Sequence, residues 1–130
     1  MFEVISHRED ATVRLRVLTG DYLLAELVAN DLAASVRVGT FMSHGIAQLF
    51  DDMAASWRGW SGAKTWRSLE GELSLSAEMD KAGHVEITAE LQAGAPAVWS
   101  TSLRLYIEAG QLERLAQHAR AFEAQVFGAA

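Results

Sequence analysis

The chain has 130 residues, half of them hydrophobic, with one proline, no cysteine and a net charge of −6. That length suits a single domain over 1–130 with a core of its own, and the missing cysteine excludes disulfides, thiol nucleophiles and thiolate metal sites. Acidity without a basic cluster argues against nucleic acid, whose phosphates are held by Lys and Arg displacing counterions.

The charge is unevenly placed: residues 1–67 hold 8 acidic and 7 basic side chains, residues 68–130 hold 9 and 4. Such acidity either keeps the protein in solution or steers a basic partner toward it. The opening Met1 to Asp10 lacks a basic stretch followed by an apolar one, and no later run is long enough to span a bilayer. The expected location is the cytoplasm, with no membrane contact.

In chain order, Phe2 to Ser6 reads as an edge strand. Thr12 to Thr19 alternates, with Val13, Leu15 and Val17 on one side and Arg14 and Arg16 on the other, the pattern of a half-buried strand. Gly20-Asp21 turns the chain into Tyr22 to Asn30, and beyond Asp31 the stretch Ala34 to Thr40 sets Ala34, Val36 and Val38 against Ser35, Arg37 and Gly39. The period then becomes helical: Ile46, Leu49, Phe50, Met53, Ala54 and Trp57 fall on one face. This predicts a helix from about His44 to Arg58, with Ser43 as N-cap, Gly59 as left-handed stop and Trp57 in the core.

Three of the four tryptophans, Trp57, Trp60 and Trp66, fall within ten residues, in a segment that reads as a loop. A strand from Leu69 to Met79 follows, with Leu69, Gly71, Leu73, Leu75, Ala77 and Met79 inward and Glu70, Glu72, Ser74, Ser76 and Glu78 outward. Asp80 to Gly83 reverses the chain, and Val85, Ile87, Ala89 and Leu91 continue the buried face. After the turn Ala93-Gly94-Ala95-Pro96, Val98 to Glu108 points Trp99, Leu103, Leu105 and Ile107 inward, Arg104 and Tyr106 outward. Gln111 to Phe127 repeats apolar residues at helical spacing, with Gly128 just past its end. No internal repeat is visible. The order meander, helix, meander, helix predicts an α+β fold: an antiparallel sheet of about six strands, one face covered by two helices and the other open to water.

That open face is the functional lead, because Glu70, Glu72, Glu78, Glu86 and Glu90 are expected to point the same way. Like charges on paired strands repel, by a few tenths of a kcal/mol per pair, so the row serves either solubility or an oppositely charged partner. Arg14, Arg16, Arg37 and Arg104 would neutralise it if they share the face. Trp60, between Gly59 and Gly62 and near Arg58 and Lys64, is the candidate for an exposed contact anchor of the kind enriched at interfaces. The alternative is that all three tryptophans plug the sheet edge.

Catalytic patterns are weak. His7, His44, His84 and His118 include no pair at metal-binding spacing, and His84 is placed to hydrogen-bond Asp80 in its own turn. Glu70 and Glu72 resemble a paired-carboxylate site only as any same-face strand neighbours do, about 6.6 Å apart along the backbone. Gly59-Trp60-Ser61-Gly62 followed by Lys64 lacks the spacing of a phosphate loop. No catalytic residue, metal or cofactor is expected.

Arg58 to Glu70, followed by Leu73-Ser74-Leu75-Ser76-Ala77, Gly83-His84-Val85 and Glu108-Ala109-Gly110-Gln111-Leu112, resembles a small bacterial family of unknown function found largely in actinobacteria. The resemblance covers most of the chain from the first helix onward and implies no particular activity. The hairpin Leu73 to Leu91, with Asp80, Gly83, His84 and Val85 at its turn, is also similar to immunity proteins of the WapI type. That likeness implies protection against contact-delivered toxins by binding, without cofactor or catalysis.

The sequence thus points to a protein-binding, immunity-like module using Glu70, Glu72, Glu78, Glu86, Glu90 and Trp60 against a basic protein partner, and leaves the oligomeric state open. The alternative is a small-molecule-binding or regulatory domain with a pocket between sheet and helices.

Overall fold

Among the described residues, alternation in the sequence becomes eight strands in two antiparallel sheets of four. The computed structural model describes residues 1–8, 10–39, 45–94 and 96–127. Strands β1 (Phe2–Ile5), β2 (Thr12–Val17), β3 (Tyr22–Ala29) and β4 (Leu32–Gly39) form the first sheet in sequence order, and helix α1 (Ile46–Ala55) follows. Strands β5 (Lys64–Arg67), β6 (Leu73–Met79), β7 (His84–Ala93) and β8 (Trp99–Glu108) form the second, and a 3₁₀ turn over Ala109–Gln111 leads into α2 (Leu112–Phe127). The element order runs twice through four strands and a helix, a repeat of architecture that the residue pattern does not announce.

The expected single sheet of about six strands is therefore corrected, and the reason is geometric. Strands lie about 4.8 Å apart and a helix is about 10 Å wide, so two helices cover roughly four strands. Eight strands, each with an apolar side, need a second layer. The inward residues of both sheets join α1 and α2 in one continuous core that includes Leu27, Val38, Phe50, Leu73, Ile87, Leu105 and Phe122. Both β3 and β4 approach β7, and the helices pack on each other, with α2 against β1 and α1 against β5. The Phe2 ring meets Phe50 edge-on at 5.3 Å and Phe122 at 6.4 Å, joining β1 to both helices.

The two sheets are tied where β1 ends beside β8. Tyr106 donates its backbone N–H to Ser6 Oγ at 3.0 Å, and the His7 N–H donates to the Tyr106 carbonyl. Helix α1 starts at Gly45, whose φ of 105° suits glycine and whose missing Cβ leaves room for Trp66. Its N-terminal amides are capped from the far end of the chain: Glu123 Oε1 accepts from Gly45 N and Ala47 N, both at 2.9 Å. A carboxylate there satisfies orphan donors and complements the helix dipole. The expected cap Ser43, together with His44 and Gly128, lies outside the described residues.

Four local expectations are revised. Helix α1 ends at Ala55, where the Ser56 amide bonds back to Asp52 and Met53, so Trp57 leaves the apolar stripe and stands 55% exposed rather than in the core. The tryptophan segment is not all loop, because Lys64–Arg67 pairs with β6. Strand β6 begins at Leu73, not Leu69: Gly71 has a φ of 77°, and the Ser68 hydroxyl accepts the Leu73 N–H at 3.1 Å, closing a turn that leaves Leu69 exposed. Trp99 is also partly exposed rather than inward. It pairs with Ala93, two residues past the Leu73–Leu91 pair where β6 begins, so that end of the ribbon overhangs its sheet.

Candidate functional site

The outward face of the second sheet is built by strand parity. With Leu75, Ala77, Ile87, Ala89 and Leu105 committed to the core, the intervening residues must face away. Register then stacks them in rows: Glu78, Glu86 and Tyr106 form one; Thr65, Ser76, Thr88 and Arg104 the next; Arg67, Ser74, Glu90 and Ser102 a third. Beyond them, Gln92 N donates to the Glu72 carbonyl at 2.8 Å.

Of the five expected glutamates, Glu78, Glu86 and Glu90 share this face. Glu78 stands directly opposite Glu86. Glu86 is 3.6 Å from Arg104 Nε, whereas Glu78 and Glu90 make no ion pair among the described residues. Glu72 lies at the margin and accepts a hydrogen bond from the buried Ser68 hydroxyl at 2.7 Å, which makes it a part of the turn. Glu70 falls within that turn, off the strand, and is exposed. The alternation of Leu69, Gly71 and Leu73 had suggested otherwise, because parity alone does not register a turn.

Three of the four arginines that would neutralise this face lie elsewhere, although Arg67 and Arg8 stand on it beside Arg104. Arg14 and Arg16 belong to the first sheet, where Arg14 Nε is 2.9 Å from Glu3 and Arg16 Nε is 2.8 Å from Glu26. Arg37, also on the first sheet, lies over the Tyr22 ring at 5.4 Å. Only Arg104 of the four meets a glutamate of the second sheet.

Trp60 is half-buried against the core, donates its indole N–H to the Ala77 carbonyl at 3.2 Å and carries Lys64 Nζ over its ring at 5.5 Å. It seals the sheet beside β5. The expected exposure is reversed within the cluster: Trp57, stacked by Arg58 at 5.1 Å, is the exposed one.

At the β6–β7 turn, His84 Nδ1 lies 3.1 Å from Asp80 Oδ2, the contact read from the sequence, and its Nε2 lies 3.6 Å from Glu108. Asp80 also accepts the backbone N–H groups of His84 and Ala82, each at 2.9 Å. The His84 amide, then that of Ala82 and the imidazole, hold its carboxyl below the usual carboxylate range. These contacts fix the hairpin. Among the described residues no group of three or more His, Asp or Glu is arranged to hold a metal ion.

Two recesses open on this face. One of about 370 Å³ is floored by Ser74, Ser76, Thr65 and Thr88, between Arg67 and Glu90. The other, about 390 Å³, lies over Tyr106 and is lined by Glu78, Asp80, His84, Glu86 and Arg8. Arg8 Cζ sits 5.0 Å from the Tyr106 ring centroid. No local pattern places it there, since Arg8 and Tyr106 lie far apart in the chain.

These features define an α+β protein of two four-stranded sheets with a hydroxyl- and carboxylate-bearing face. The chain belongs to DUF6228, a family of unknown function, whose model matches residues 5–126. No curated protein and no solved structure matches it. No helix among the described residues is long and apolar enough to cross a membrane.

Proposed function

We propose that the chain is a protein-binding module that takes a basic protein partner on the outward face of the second sheet, masking it as immunity proteins mask toxins. The observation that carries this reading is Glu78 opposite Glu86, with Glu78 unpaired among the described residues. Cross-strand like charges weaken the sheet that holds them, so a cationic surface docked there would relieve a cost the free protein bears. Glu90 extends the site and Trp60 serves the fold beneath it. The reading asks for binding alone, with no catalytic step or cofactor, and it suits a protein working in the cytoplasm. The likeness to immunity proteins rests on the Leu73 to Leu91 hairpin.

The test is fluorescence anisotropy with a labelled oligolysine peptide at low and physiological ionic strength. Binding should weaken as salt rises. Joint Glu78→Lys, Glu86→Lys and Glu90→Lys should lower affinity by at least about tenfold. A control of equal net charge, reversing the exposed Asp31, Glu70 and Glu113, should lose far less. Equal loss in the two variants would remove the proposed surface.

A second reading rests on the recess floored by hydroxyls, where Arg67 and Glu90 flank Ser74 in one row. A small polar ligand there would raise the melting temperature by binding only the folded state, which a thermal-shift screen would detect.

A further inference from the structure

The recess over Tyr106 already holds a cation, and it is the chain's own. Arg8 follows the segment pinned to β8 by Ser6 and His7, and its guanidinium lies over the Tyr106 ring at 5.0 Å. Around it stand Glu78, Asp80, His84 and Glu86 in a cavity of about 390 Å³. A guanidinium stacks by its flat face on an aromatic ring while its in-plane N–H groups seek carboxylates. Arg8 makes the first contact and not the second: among the described residues it forms no ion pair, and it is exposed.

The surrounding acids are not equivalent. Asp80 is occupied by His84 and two backbone amides, and Glu86 has Arg104 at 3.6 Å. Glu78 makes no ion pair among the described residues and lines the same recess, one strand beyond Glu86 from Tyr106. A ring and a carboxylate that line one recess are what a fork-shaped cation requires.

We propose that this recess is a receptor for a single arginine side chain of the partner, and that Arg8 is a resident stand-in which the incoming arginine displaces. Tyr106 supplies the stacking surface, Glu78 the carboxylate that selects a guanidinium, and Arg8 an internal competitor that lowers affinity for casual cations. The proposal rests on the reading of this face as a site for a basic partner and names the group it recognises.

The probe is N-acetyl-Gly-Arg-Gly-amide, titrated into isotopically labelled full-length protein and followed by amide chemical shifts, beside the same peptide with neutral citrulline for arginine. The arginine peptide should shift the amides of Glu78, Glu86 and Tyr106, and the citrulline peptide should not. Replacing the competitor with Arg8→Ala should tighten binding by about threefold to tenfold, because a larger fraction of the receptor is then open. Glu78→Gln, an exposed change that spares the core, should weaken it. Equal shifts from both peptides, or an affinity indifferent to Arg8→Ala, would overturn the receptor. If oligolysine still binds through Glu78, Glu86 and Glu90 in that case, the acidic face stands and only the arginine recess falls. If oligolysine binding is also indifferent to those glutamates, both readings fall.

Discussion

On the outward face of the first sheet, Glu26 lies 2.8 Å from Arg16 and 3.9 Å from Arg14, and Arg14 in turn reaches Glu3 at 2.9 Å. Register places Glu3, Arg14 and Glu26 side by side on three successive strands, so charge alternates across the sheet. On the second sheet the corresponding juxtaposition is Glu78 against Glu86, where Arg104 lies 3.6 Å from Glu86 and, among the described residues, Glu78 makes no ion pair. The two meanders share strand number, order and a following helix, and differ in whether their outward charges are matched from within. A face that answers its own charges needs only water. A face that repeats one sign across a strand pair has a favourable interaction left to make, and it lies in the half of the chain with 9 acidic and 4 basic side chains.

The comparison presumes that the two sheets are one body, and the strongest test of that is a shared core residue. Phe50 is fully buried, on α1, and touches Phe2 of the first sheet. Phe50→Ala should cost about 3–5 kcal/mol. Of the four tryptophans, Trp66 and Trp99 lie in the second sheet and Trp60 bonds to it, so fluorescence follows mainly that sheet while far-ultraviolet dichroism follows both. The two signals should shift together in urea; separate transitions would break the comparison at its root.

Glu123 is a smaller tie of the same kind, since it belongs to the helix after the second sheet and caps the helix after the first. Glu123→Ala should destabilise by about 1–2 kcal/mol, read from the urea midpoint.

The faces themselves should answer isosteric neutralisation with opposite sign. Glu26→Gln leaves Arg14 and Arg16 facing each other beside a side chain only 16% exposed, and should cost about 1 kcal/mol. Glu78→Gln removes a like-charge pair and should raise stability by a few tenths of a kcal/mol. Loss of stability at both positions would mean that the second face is as self-satisfied as the first.

The smallest effect is at Asp80. Its carboxyl titrates lower in the fold than in the unfolded chain, so its contribution is present above the ordinary carboxylate range and is lost as pH falls through the lowered value. Asp80→Asn should therefore lower stability slightly and by the same amount at neutral and alkaline pH, and flatten the acid limb, because that contribution is no longer there to be lost.

Much of this was legible because strand parity needs no tertiary information. Val13 and Leu15, Leu73 and Leu75, Ile87 and Ala89 fixed the buried sides, and with them the outward placement of Glu78, Glu86 and Glu90. Parity says which side is buried and not against what, so the partition into two facing sheets did not follow. Strand β5, four residues long, is too short for alternation to mark, and Trp66 within it reads like any loop aromatic. The turn at Ser68 was hidden because Leu69 and Gly71 keep the phase of the strand that follows, which displaced Glu70. Trp57 and Trp60 exchanged roles because the helix stops two residues before Trp57, a termination set by backbone bonds at Ser56 rather than by a marked stop residue. Arg8 on Tyr106 and Glu123 on α1 are contacts between distant segments that no local pattern encodes.

The most direct measurement is an amide chemical-shift map of the labelled protein titrated with oligolysine at low ionic strength. The account predicts perturbations concentrated on β6, β7 and β8 around Glu78, Glu86 and Glu90, with the first sheet silent. Perturbations spread evenly over both sheets, or centred on Glu3 and Glu26, would contradict it.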